Sequence, residues 1–590
     1  MNNSLKRVFD VLDYQLQNFP QNDCLANKVD GQWIKYSTSE VKKIADHISL
    51  GLLAMGIDRG DKIAIISQNR PEWIFVDFAI QQIGAICVPM YPTITAEDYE
   101  YIFDEAEVKV VFTGNEEIYE KAKSGASSVP SVQKVYCFDQ SGSIPFWKEV
   151  ESLGKSNTDT DLQSFKDKVT YEDLLTIIYT SGTTGRPKGV MLTHQNILSN
   201  SYSVSQVFPK NLVPEESKAL SFLPLCHIFE RTASYTYVVM GISIYFAESL
   251  ESIGDNIREI KPELFTCVPR LLEKVYDKII DKGRGLTGIK KSLFFWAVDL
   301  GSKYEPHLDQ GYIYNLKLKL ANKLIFSKWR EALGNNIKFI ISGAAALQPR
   351  LSRIFWSAGI PVLEGYGLTE TSPGICFSRM EDMRVGCVGP PLENVEVMIA
   401  EDGEILARGT NVMAGYYKKP DLTAEVIDKD GWFHTGDVGE LVDGKYLRIT
   451  DRKKEMFKTS GGKYIAPQVI ENKFKESLLI EQMMVVGEGK KHPSALIVPS
   501  FEGLRKWCEI RSIEYTTDSD MVNHSEVISK YHIEVETFNE NFAQFERIKK
   551  FKLLGIPWDI ETGELTPTMK LKRKIISSNY EEEIERFYQN

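Results

Sequence analysis

The stretch YTSGTTGRPKGV at Tyr179–Val190 decides how the rest of the chain is interpreted. It follows an apolar run, Leu174–Tyr179, that is typical of a buried strand, and Val190–His194 after it predicts a second strand or a short extension. Glycines let a backbone approach an anion and turn its N–H groups inward, while the hydroxyls and a lysine of this stretch supply further donors. The stretch therefore predicts a loop that binds a chain of phosphates.

This loop differs from the P-loop of kinases and ATPases. That motif, G-x-x-x-x-G-K-[ST], requires a glycine before its lysine and a Ser or Thr after it. Here Pro187 precedes Lys188, and Gly189 follows where the hydroxyl that binds magnesium should be. The sequence therefore predicts a phosphate loop of another type.

The bulk composition limits the class of protein. The chain has 590 residues, 43% hydrophobic and 26% charged, which indicates a folded protein of two or more domains. A net charge of −11 argues against non-specific nucleic-acid binding, which needs a basic field. We therefore expect no nucleic-acid partner.

The cysteines and apolar runs indicate a cytoplasmic protein. The start of the chain lacks the unbroken apolar core of a signal peptide, and the longest apolar candidate, Tyr237–Phe246, is about half of the ~20 residues that a membrane span needs. No C-x-x-C pair or zinc spacing occurs, so we expect reduced, buried thiols. The eight cysteines are Cys24, Cys87, Cys137, Cys226, Cys267, Cys376, Cys387 and Cys508.

Strands and helices alternate through the first part of the chain. Lys62–Ile66, Gly84–Pro89 and Val108–Phe112 are typical of short buried strands, and Pro71–Ile83 has helical periodicity after a proline start. Such alternation predicts parallel sheets covered by helices, which is an α/β fold.

A charged run that ends at Lys454 predicts the domain boundary. We expect an N-terminal domain at 1–450, a hinge at 451–454 and a small α+β domain at 451–590. The C-terminal part is expected to contain strands at Met483–Gly487 and Ala495–Pro499 and a long amphipathic helix at Tyr531–Lys549.

The loop resembles the signature loop of the AMP-forming (adenylate-forming) superfamily, which includes acyl-CoA synthetases, luciferases and adenylation domains of peptide synthetases. The resemblance implies an acetyl-CoA synthetase-like fold. Its large N-terminal domain has parallel-rich sheets sandwiched by helices and a distorted barrel, and its small C-terminal domain is mobile. It also implies that the ATP phosphates are bound by Thr180, Ser181, Gly182, Thr183, Thr184, Gly185 and Lys188.

Two further motifs of the family follow in order. Gly343 and Ala344 lie in a small-residue turn that, by resemblance, packs against adenine, although a plain tight turn would look the same. The string EGYGLTETS at Glu364–Ser372 resembles the next nucleotide motif. Its implied roles are adenine stacking by Tyr366, donation to the α-phosphate by Thr369 and, with Thr180, Mg²⁺ binding by Glu370. The nucleotide residues of this string are Glu364, Gly365, Tyr366, Gly367 and Thr369.

The second half of the chain matches the family as well. By resemblance Asp437 and Arg452 meet the ribose, Lys458 contacts the nucleotide, and Lys454 is the hinge about which the small domain turns. Gly461 and Gly462 resemble the loop that enters the active site on the CoA side. Without this context the charged run would be a solvated linker and Asp437 an Asx-turn residue.

Two candidate catalytic residues remain. Lys570 matches the family's catalytic lysine, although Met569 stands where the short-chain version has glycine. An ammonium group there can bridge the carboxylate and the α-phosphate as charge moves between them. By resemblance His227 lies near the acyl carboxylate or gates its pocket, and a purely structural histidine is an equal alternative.

The resemblance covers nearly the whole chain and is nearest to bacterial long-chain fatty acid–CoA ligases. It implies ATP-dependent formation of acyl-AMP and then acyl-CoA, with Mg²⁺ as cofactor and ATP, CoA and a long-chain fatty acid as substrates. The alternatives are adenylation of another carboxylic acid, transfer to a carrier protein, or a non-catalytic acyl- or nucleotide-binding relative. We expect a monomer or homodimer.

The basic and aromatic cluster Lys290–Trp296 allows two interpretations. It could touch a membrane surface, where a fatty acid partitions, or it could be a core helix with a basic start. The second interpretation is favoured by the pattern. A peripheral contact with the inner face of the membrane stays open beside the cytoplasmic expectation.

Overall fold

The computed structural model describes residues 5–180, 186–559, 562–566 and 569–589. These residues form two compact units. The N-terminal unit comprises Met1–Met398, Leu406–His434 and Val442–Leu447, and the C-terminal unit comprises Ile399–Ile405, Thr435–Leu441 and Arg448–Asn590. The stretch Ser181–Gly185 of the predicted phosphate loop lies outside the described residues.

The N-terminal unit contains two large sheets. Its strands are β1 (Leu25–Val29), β2 (Gln32–Tyr36), β3 (Lys62–Ile66), β4 (Ile86–Met90), β5 (Val108–Thr113), β6 (Lys134–Cys137), β7 (Leu174–Thr180), β8 (Lys188–Thr193), β9 (Lys218–Ser221), β10 (Ser243–Phe246), β11 (Leu264–Cys267), β12 (Phe339–Ser342), β13 (Val362–Gly367) and β14 (Gly374–Phe377). The chain then passes between the units along β15 (Val395–Ile399), β16 (Glu404–Gly409), β18 (Phe433–Val442) and β19 (Tyr446–Arg452), with β17 (Gly415–Tyr416) in the N-terminal unit.

Both sheets are mainly parallel. The seven-stranded sheet has the order β17-β8-β7-β4-β3-β5-β6, in which β8 runs antiparallel to β7 and β17 antiparallel to β8. The eight-stranded sheet has the order β14-β13-β12-β11-β9-β10-β1-β2, with antiparallel edges at β14 and β2. Strand β3 is formed by the predicted residues Lys62–Ile66, and its apolar run Ile63–Ile66 is buried, as parallel strands require.

Helices cover these sheets. They are α1 (Asp10–Asn18), α2 (Thr38–Ala54), α3 (Pro71–Gln82), α4 (Ala96–Ala106), α5 (Glu116–Ala126), α6 (Lys148–Ser156), α7 (Leu162–Lys166), α8 (His194–Val207), α9 (Ile228–Val239), α10 (Ile253–Ile260), α11 (Pro269–Arg284), α12 (Gly288–Ser302), α13 (Tyr312–Ala321), α14 (Ser327–Ala332), α15 (Pro349–Ser357) and α16 (Pro420–Val426), with a π-helical segment at Asn322–Phe326 and a 3₁₀ turn at Thr369–Thr371. Helix α3 begins at Pro71, as predicted, because proline has the required φ and needs no hydrogen bond there.

The C-terminal unit is a small α+β assembly around its own core. Its remaining elements are β20 (Phe457–Lys458), β21 (Tyr464–Ile465), β22 (Ile480–Val486), β23 (Ser494–Pro499), β24 (Phe551–Leu553), α17 (Pro467–Phe474), α18 (Phe501–Arg511), α19 (Asp518–Asn523), α20 (Ser525–Asn539), α21 (Arg573–Asn579) and α22 (Glu581–Arg586). The predicted α/β fold class, with a large N-terminal part and a smaller C-terminal part, is confirmed.

The predicted helix at Tyr531–Lys549 is wrong in its second half. Helix α20 ends at Asn539. The Asn539 Nδ2 donates to the Ile548 carbonyl and its Oδ1 accepts from the Ile548 N–H, both at 2.9 Å. The side-chain amide thus supplies hydrogen bonds that hold the returning chain. Asparagine side chains often bind backbone groups in this way and so compete with helix formation.

The apolar run Tyr237–Phe246 belongs to two elements. Helix α9 ends at Val239, and β10 begins at Ser243 after Gly241, which has a φ of 69°. Across the described ranges, no helix combines the length and apolar character that crossing a membrane requires. All eight cysteines are free and buried, and burial raises the pKa of the Cys24 thiol to about 12.

Candidate active site

The predicted phosphate loop connects two antiparallel strands. Tyr179 on β7 lies opposite Gly189 on β8, and Thr180 lies opposite Lys188. Both ends of the loop are therefore held by the sheet. Gly189 is required sterically, because a Cβ there would come within 2.6 Å of Ile177 Cγ2. The described end of the loop also contacts the neighbouring helix α4, since the Tyr101 hydroxyl donates to the Pro187 carbonyl at 3.3 Å.

Three side chains converge beside this hairpin. The Tyr416 hydroxyl donates to Glu370 Oε1 at 2.9 Å, and Lys188 Nζ lies 4.8 Å from the centre of the Tyr416 ring. Burial and the Glu370 carboxylate both raise the pKa of Tyr416, so this hydroxyl stays a donor at neutral pH. The predicted residues Lys188 and Glu370 are thus joined through one aromatic ring.

Backbone pairing places Tyr416 in this position. Strand β17 pairs with β8, with Tyr416 opposite Val190, and the Met413 N–H donates to the Glu370 carbonyl at 2.8 Å. Sequence reasoning missed Tyr416. The pairing joins segments far apart in the chain, and no local pattern around Gly415 and Tyr416 indicates it.

The predicted string at 364–372 forms β13 and the 3₁₀ turn after it. Gly367 has no room for a side chain, because a Cβ would come within 1.7 Å of the Pro373 carbonyl oxygen. Tyr366 is buried, and Thr369 and Glu370 are partly exposed. Gly365 also has a neighbour, the Phe377 ring, 3.3 Å from the position of an added Cβ. The turn therefore presents Thr369 and Glu370 from a tightly packed backbone.

Glu364 is a buried carboxyl group at the start of this string. It is 6% exposed, and burial raises its pKa to about 8, although a hydrogen bond from the Leu347 backbone lowers it. Its Oε1 lacks a hydrogen-bond partner among the described residues. At neutral pH the group is therefore mainly protonated and carries an O–H donor.

The predicted turn at Gly343 packs against the helix that follows His227. A Cβ on Gly343 would come within 3.1 Å of the Phe229 ring, and Ala344 adopts a left-handed φ of 65°. A left-handed non-glycine residue costs roughly 1–2 kcal/mol, so the surrounding packing must hold this turn. The turn and the start of α9 therefore form one packed corner.

His227 caps helix α9. Its Nδ1 accepts from the Phe229 N–H at 3.2 Å, so the neutral ring carries its proton on Nε2. Asn69 holds the preceding turn, with Oδ1 accepting from the Leu225 N–H at 2.9 Å. The structural interpretation of His227 thus has a definite basis in the helix cap that its Nδ1 provides.

The C-terminal unit brings Asp437 and Arg452 together. Arg452 Nε lies 3.4 Å from Asp437 Oδ1, and the Asp437 side chain is 8% exposed. The turn that carries Asp437 is fixed by its neighbours, because the Gly436 N–H donates to Glu404 Oε1 at 2.9 Å and the Lys453 N–H donates to the Gly436 carbonyl at 2.8 Å. Both residues are predicted to meet the ribose, and the structure places them side by side.

The predicted hinge lies in a turn after β19. Lys454 is exposed, whereas Lys453 Nζ forms ion pairs with Asp402 at 2.6 Å and Glu404 at 2.8 Å. Asp451 is buried, and burial raises its pKa to about 7. The turn therefore has one anchored and one solvated lysine.

Lys458, Gly461 and Gly462 lie in the two-stranded sheet β20-β21 and its connection. Lys458 Nζ lies 4.5 Å from the centre of the Tyr464 ring. Gly462 has a φ of 75°, and its N–H donates to the Thr459 carbonyl at 2.9 Å. An added Cβ on Gly462 would meet open space, so the left-handed backbone, and not crowding, explains glycine there.

Lys570 is presented by a tight turn. Its N–H donates to Thr566 Oγ1 at 3.0 Å, and its carbonyl accepts from the Thr566 N–H at 2.8 Å. Met569, which stands where short-chain relatives have glycine, has a left-handed φ of 61° and a 54% exposed side chain. The turn geometry that suits glycine is thus kept with methionine.

Arg573 ties this segment to the rest of the C-terminal unit. Its Nε donates to Glu455 at 2.9 Å, and its two terminal nitrogens donate to Glu471 at 2.8 and 2.6 Å. Planar, two-pronged pairing of this kind orients a backbone segment more firmly than a single contact does. Sequence reasoning did not single out Arg573.

The described residues contain no cluster of three or more His, Cys, Asp or Glu side chains able to hold a metal ion. Glu370, with one oxygen bound by Tyr416, and Thr180 at the end of β7 are the predicted donors. Hard oxygen donors in small number fit Mg²⁺ that a substrate's phosphates and water also coordinate, and they do not fit a structural metal held by protein alone.

Solved structures show the same fold. The anthranilate CoA ligase AuaEII in complex with anthranoyl-AMP is similar with a TM-score of 0.72 and 18% identity, over 97% of both chains. The adenylation domain of a carboxylate reductase from Mycobacterium chelonae is similar with a TM-score of 0.76 and 20% identity, over 99% of this chain and 91% of that one.

Sequence relatives extend over nearly the full chain. Long-chain-fatty-acid–CoA ligase FadD15 of Mycobacterium tuberculosis is 33% identical over 95% of this chain and 93% of its own. Human long-chain-fatty-acid–CoA ligase 1 is 32% identical over 96% of this chain and 84% of its own.

Family models match the two parts of the chain separately. The model described as AMP-binding enzyme matches residues 12–417, and the model described as AMP-binding enzyme C-terminal domain matches residues 455–590. The motifs, the fold and these matches agree, and the chain belongs to the AMP-binding enzyme family.

Proposed function

We propose that this chain is an ATP-dependent long-chain fatty acid–CoA ligase. It activates the acid to acyl-AMP with release of pyrophosphate, and it then forms acyl-CoA with release of AMP. The observation that carries the proposal is the convergence of Lys188, Tyr416 and Glu370 beside the β7–β8 hairpin. The names of relatives that are at least 30% identical over nearly the whole chain support the choice of acid and thiol.

The first step needs positioning more than proton transfer. A fatty acid is already ionised at pH 7, so its carboxylate can attack the α-phosphate in line without a general base. Two anions must approach each other, and the cationic Lys188 beside the hairpin lowers that cost at the phosphates. Thr369 donates to the α-phosphate, and Lys570 neutralises the charge that develops between the carboxylate and the phosphate.

Adenosine has candidate partners for its base and its sugar. Tyr366 stacks on adenine beside the Gly343 and Ala344 turn. Asp437 accepts from the ribose hydroxyls, as a carboxylate does in other nucleotide sites, and Arg452 orients it from 3.4 Å. Lys458 acts as an outer contact to the nucleotide.

Mg²⁺ fits the donors Glu370 and Thr180. When bound with ATP it would supply charge neutralisation at the phosphates. Tyr416 has a part in this arrangement, because its hydrogen bond to Oε1 fixes how the second Glu370 oxygen points. An oriented carboxylate binds a cation with less loss of side-chain freedom.

The second step uses a different face of the C-terminal domain. We infer a domain at 451–590 that turns about Lys454, so that Lys570 leaves and the Gly461 and Gly462 loop takes part in attack by the CoA thiol. His227 lies near the acyl carboxylate. The exposure of Lys454 and the left-handed backbone of Gly462 are compatible with these roles.

A panel of acids tests the proposal. Pyrophosphate and acyl-CoA are measured separately with ATP, Mg²⁺ and acids from short to very long chain, with and without CoA. We expect pyrophosphate release with long-chain acids and acyl-CoA only when CoA is present. Pyrophosphate without acyl-CoA would indicate a carrier-protein acceptor. No pyrophosphate with any acid would indicate a non-catalytic relative.

Lys570→Ala separates the two steps. We expect this variant to lose adenylation but to keep acyl-CoA formation from preformed acyl-AMP, because Lys570 is assigned to the first step only. Lys574→Ala is the matched control, since Lys574 is an exposed lysine four residues away. Normal pyrophosphate release by Lys570→Ala would remove the role given to Lys570.

We also propose a cytoplasmic protein, monomeric or homodimeric, that makes peripheral contact with the inner face of the membrane. Eight buried, free thiols fit a reducing compartment. Cell fractionation and analytical ultracentrifugation test the two parts of this proposal independently.

A further inference from the structure

Helix α13 turns an apolar face to solvent. Four of its side chains lie within an arc of about 120° at about 100° per residue: Tyr312 is 82% exposed, Ile313 70%, Leu316 57% and Leu320 48%. Leu324, in the π-helical segment that follows, continues the row and is 45% exposed. These five residues are called the apolar face of α13. Single exposed apolar residues are common on proteins, but a contiguous row on one helix indicates a binding surface.

The opposite side of α13 is fixed to the protein. The Tyr314 hydroxyl donates to the Leu300 carbonyl at 2.8 Å, and the Tyr314 ring stacks on Tyr304. Ala321 is fully buried, and Asn322 Nδ2 donates to the Ser357 carbonyl at 2.9 Å. The helix cannot turn its apolar face inward without breaking these contacts, so the exposure is built into the fold.

Lysines border the apolar face. Lys317, Lys319 and Lys323 are exposed, and none forms an ion pair with any described residue. No acidic residue occurs from Gln310 to Arg330, although the chain as a whole has a net charge of −11. The neighbouring helix α12 begins in the same way, with Ile289 80% exposed before Lys290 and Lys291.

The cluster Lys290–Trp296 itself behaves mainly as a core helix. Phe294 is 6% exposed and packs against Phe295 and Trp329. The start of α12 is exposed, whereas Phe295 and Trp296 are partly buried. The favoured interpretation from the sequence therefore holds for Phe294, and the larger exposed apolar surface lies on α13, which sequence reasoning did not single out.

We propose that the apolar face of α13 docks on an anionic lipid bilayer. A helix that lies in a membrane interface buries apolar side chains at the level of the headgroups and carries lysines that meet lipid phosphates. Tyr312 suits that depth, because its ring is apolar and its hydroxyl is polar. The inference deepens the proposed function, since a long-chain acid partitions into the same bilayer.

A second copy of this chain is a poorer occupant. A two-fold contact places the same patch on both sides of the interface, so Lys317, Lys319 and Lys323 would face one another. Like charges across an interface oppose association. An anionic surface satisfies both the apolar side chains and the lysines at once.

Co-sedimentation of the full chain with vesicles tests the proposal. The vesicles contain phosphatidylcholine alone or phosphatidylcholine with phosphatidylglycerol, at low and high salt. We expect binding to the anionic vesicles that weakens with salt. The variant Ile313→Ser with Leu316→Ser should lower the partition coefficient at least about tenfold, because two inserted side chains are lost.

Charge is tested separately. Replacing Lys317, Lys319 and Lys323 by Gln should lower binding about a hundredfold at low salt, since each lysine near an anionic surface contributes about fivefold. The matched controls are Ile510→Ser, which changes an 82% exposed isoleucine elsewhere, and the triple Gln variant of Lys210, Lys429 and Lys491, which are exposed and form no ion pair within the described part of the chain. Both controls should bind like the wild type.

Three results overturn the inference: no binding of the wild type, equal loss in the controls, or a wild-type dimer that Leu316→Ser dissociates. Acyl-CoA formation with a long-chain acid, supplied in solution without vesicles, is measured in parallel and should be unchanged in the α13 variants. Vesicle binding by a protein without ligase activity would reject the proposed function and leave the docking surface in place. Ligase activity without vesicle binding would reject the docking surface and leave the proposed function in place.

Discussion

Tyr416 is the residue that joins the predicted phosphate loop to the predicted magnesium ligand. Its ring lies over Lys188 and its hydroxyl donates to Glu370. We expect Tyr416→Phe to lower kcat/KM for ATP at least about tenfold, because a hydrogen bond to a charged group contributes about 1.5–3 kcal/mol. The ring contact with Lys188 stays in this variant.

Tyr417→Phe is the control for that measurement. Tyr417 is the next residue, and its ring lies 5.8 Å from Lys62 Nζ. Removal of the Tyr417 hydroxyl should leave kcat/KM for ATP within about twofold of the wild-type value. Equal effects of the two substitutions would mean that the bond to Glu370 has no part in the reaction.

Glu364 should make stability depend on pH. Burial raises its pKa from 4.5 to about 8, so between these values the folded state holds a proton that the unfolded state has lost. Stability therefore falls as pH rises through this window, and the loss levels off above pH 8. We expect Glu364→Gln to become more stable relative to the wild type as pH rises from 5 to 8.

Thermal unfolding of both proteins at pH 5 and pH 8 measures this difference. Glu425→Gln is a suitable control, because Glu425 lies on the surface helix α16 and is exposed. A constant difference in Tm between Glu364→Gln and the wild type across the range would show that Glu364 does not titrate within it.

At the residue scale, the sequence predicts those functional residues that lie within local motifs. Asp437 and Arg452, which are both predicted to meet the ribose, lie close together, with 3.4 Å between Arg452 Nε and Asp437 Oδ1. Tyr416 was missed because strand pairing, and not a motif, brings it to Glu370. Met569 shows the converse case: where the sequence departs from the glycine of the short-chain version, the residue still has the left-handed backbone that glycine would adopt easily.

At the scale of elements, helices α3 and α9 are joined by a buried ion pair. The guanidinium of Arg231 pairs with the carboxylate of Asp77, both with fully buried side chains, and Arg231 also donates to Thr176 on β7 at 2.8 Å. We expect Asp77→Ala to destabilise the N-terminal unit by about 3–5 kcal/mol, because it leaves a buried charge without its partner.

Chemical denaturation measures this cost, and Glu396→Ala is its control. Glu396 pairs with Arg408 at 2.7 Å on the surface, with side chains 62% and 40% exposed. An exposed pair of this kind contributes about 0–1 kcal/mol. If both substitutions shift the denaturation midpoint equally, the buried pair contributes no more to the free energy of unfolding than the surface pair does.

Element boundaries depend on contacts that a pattern does not contain. The apolar run Ile63–Ile66 is buried, and the prediction of β3 at Lys62–Ile66 had the correct bounds. The amphipathic pattern from Tyr531 continues past Asn539, yet α20 ends there because the Asn539 amide binds the backbone of Ile548. A local helical period cannot reveal a competing bond nine residues away.

At the scale of the whole molecule, the proposed rotation about Lys454 can be tested through its backbone. Lys454→Pro fixes φ at this position and restricts Lys453 before it. We expect pyrophosphate release to stay within about twofold and acyl-CoA formation from preformed acyl-AMP to fall at least about tenfold. Separate assays of the two steps measure this.

Lys454→Ala controls for loss of the charge, because it keeps the backbone free and Lys454 is exposed. It should behave like the wild type in both steps. Equal inhibition of both steps by Lys454→Pro would instead point to misfolding or to a hinge at another position.

The burial of all eight cysteines has a consequence for a protein proposed to handle thioesters. A reactive sulfhydryl on the enzyme could capture the activated acyl group or exchange with coenzyme A, and either event would divert product. Enclosed sulfur atoms with raised pKa values compete poorly for that chemistry. A colorimetric thiol reagent should therefore give no signal with the native enzyme. It should react with each cysteine as unfolding exposes that thiol.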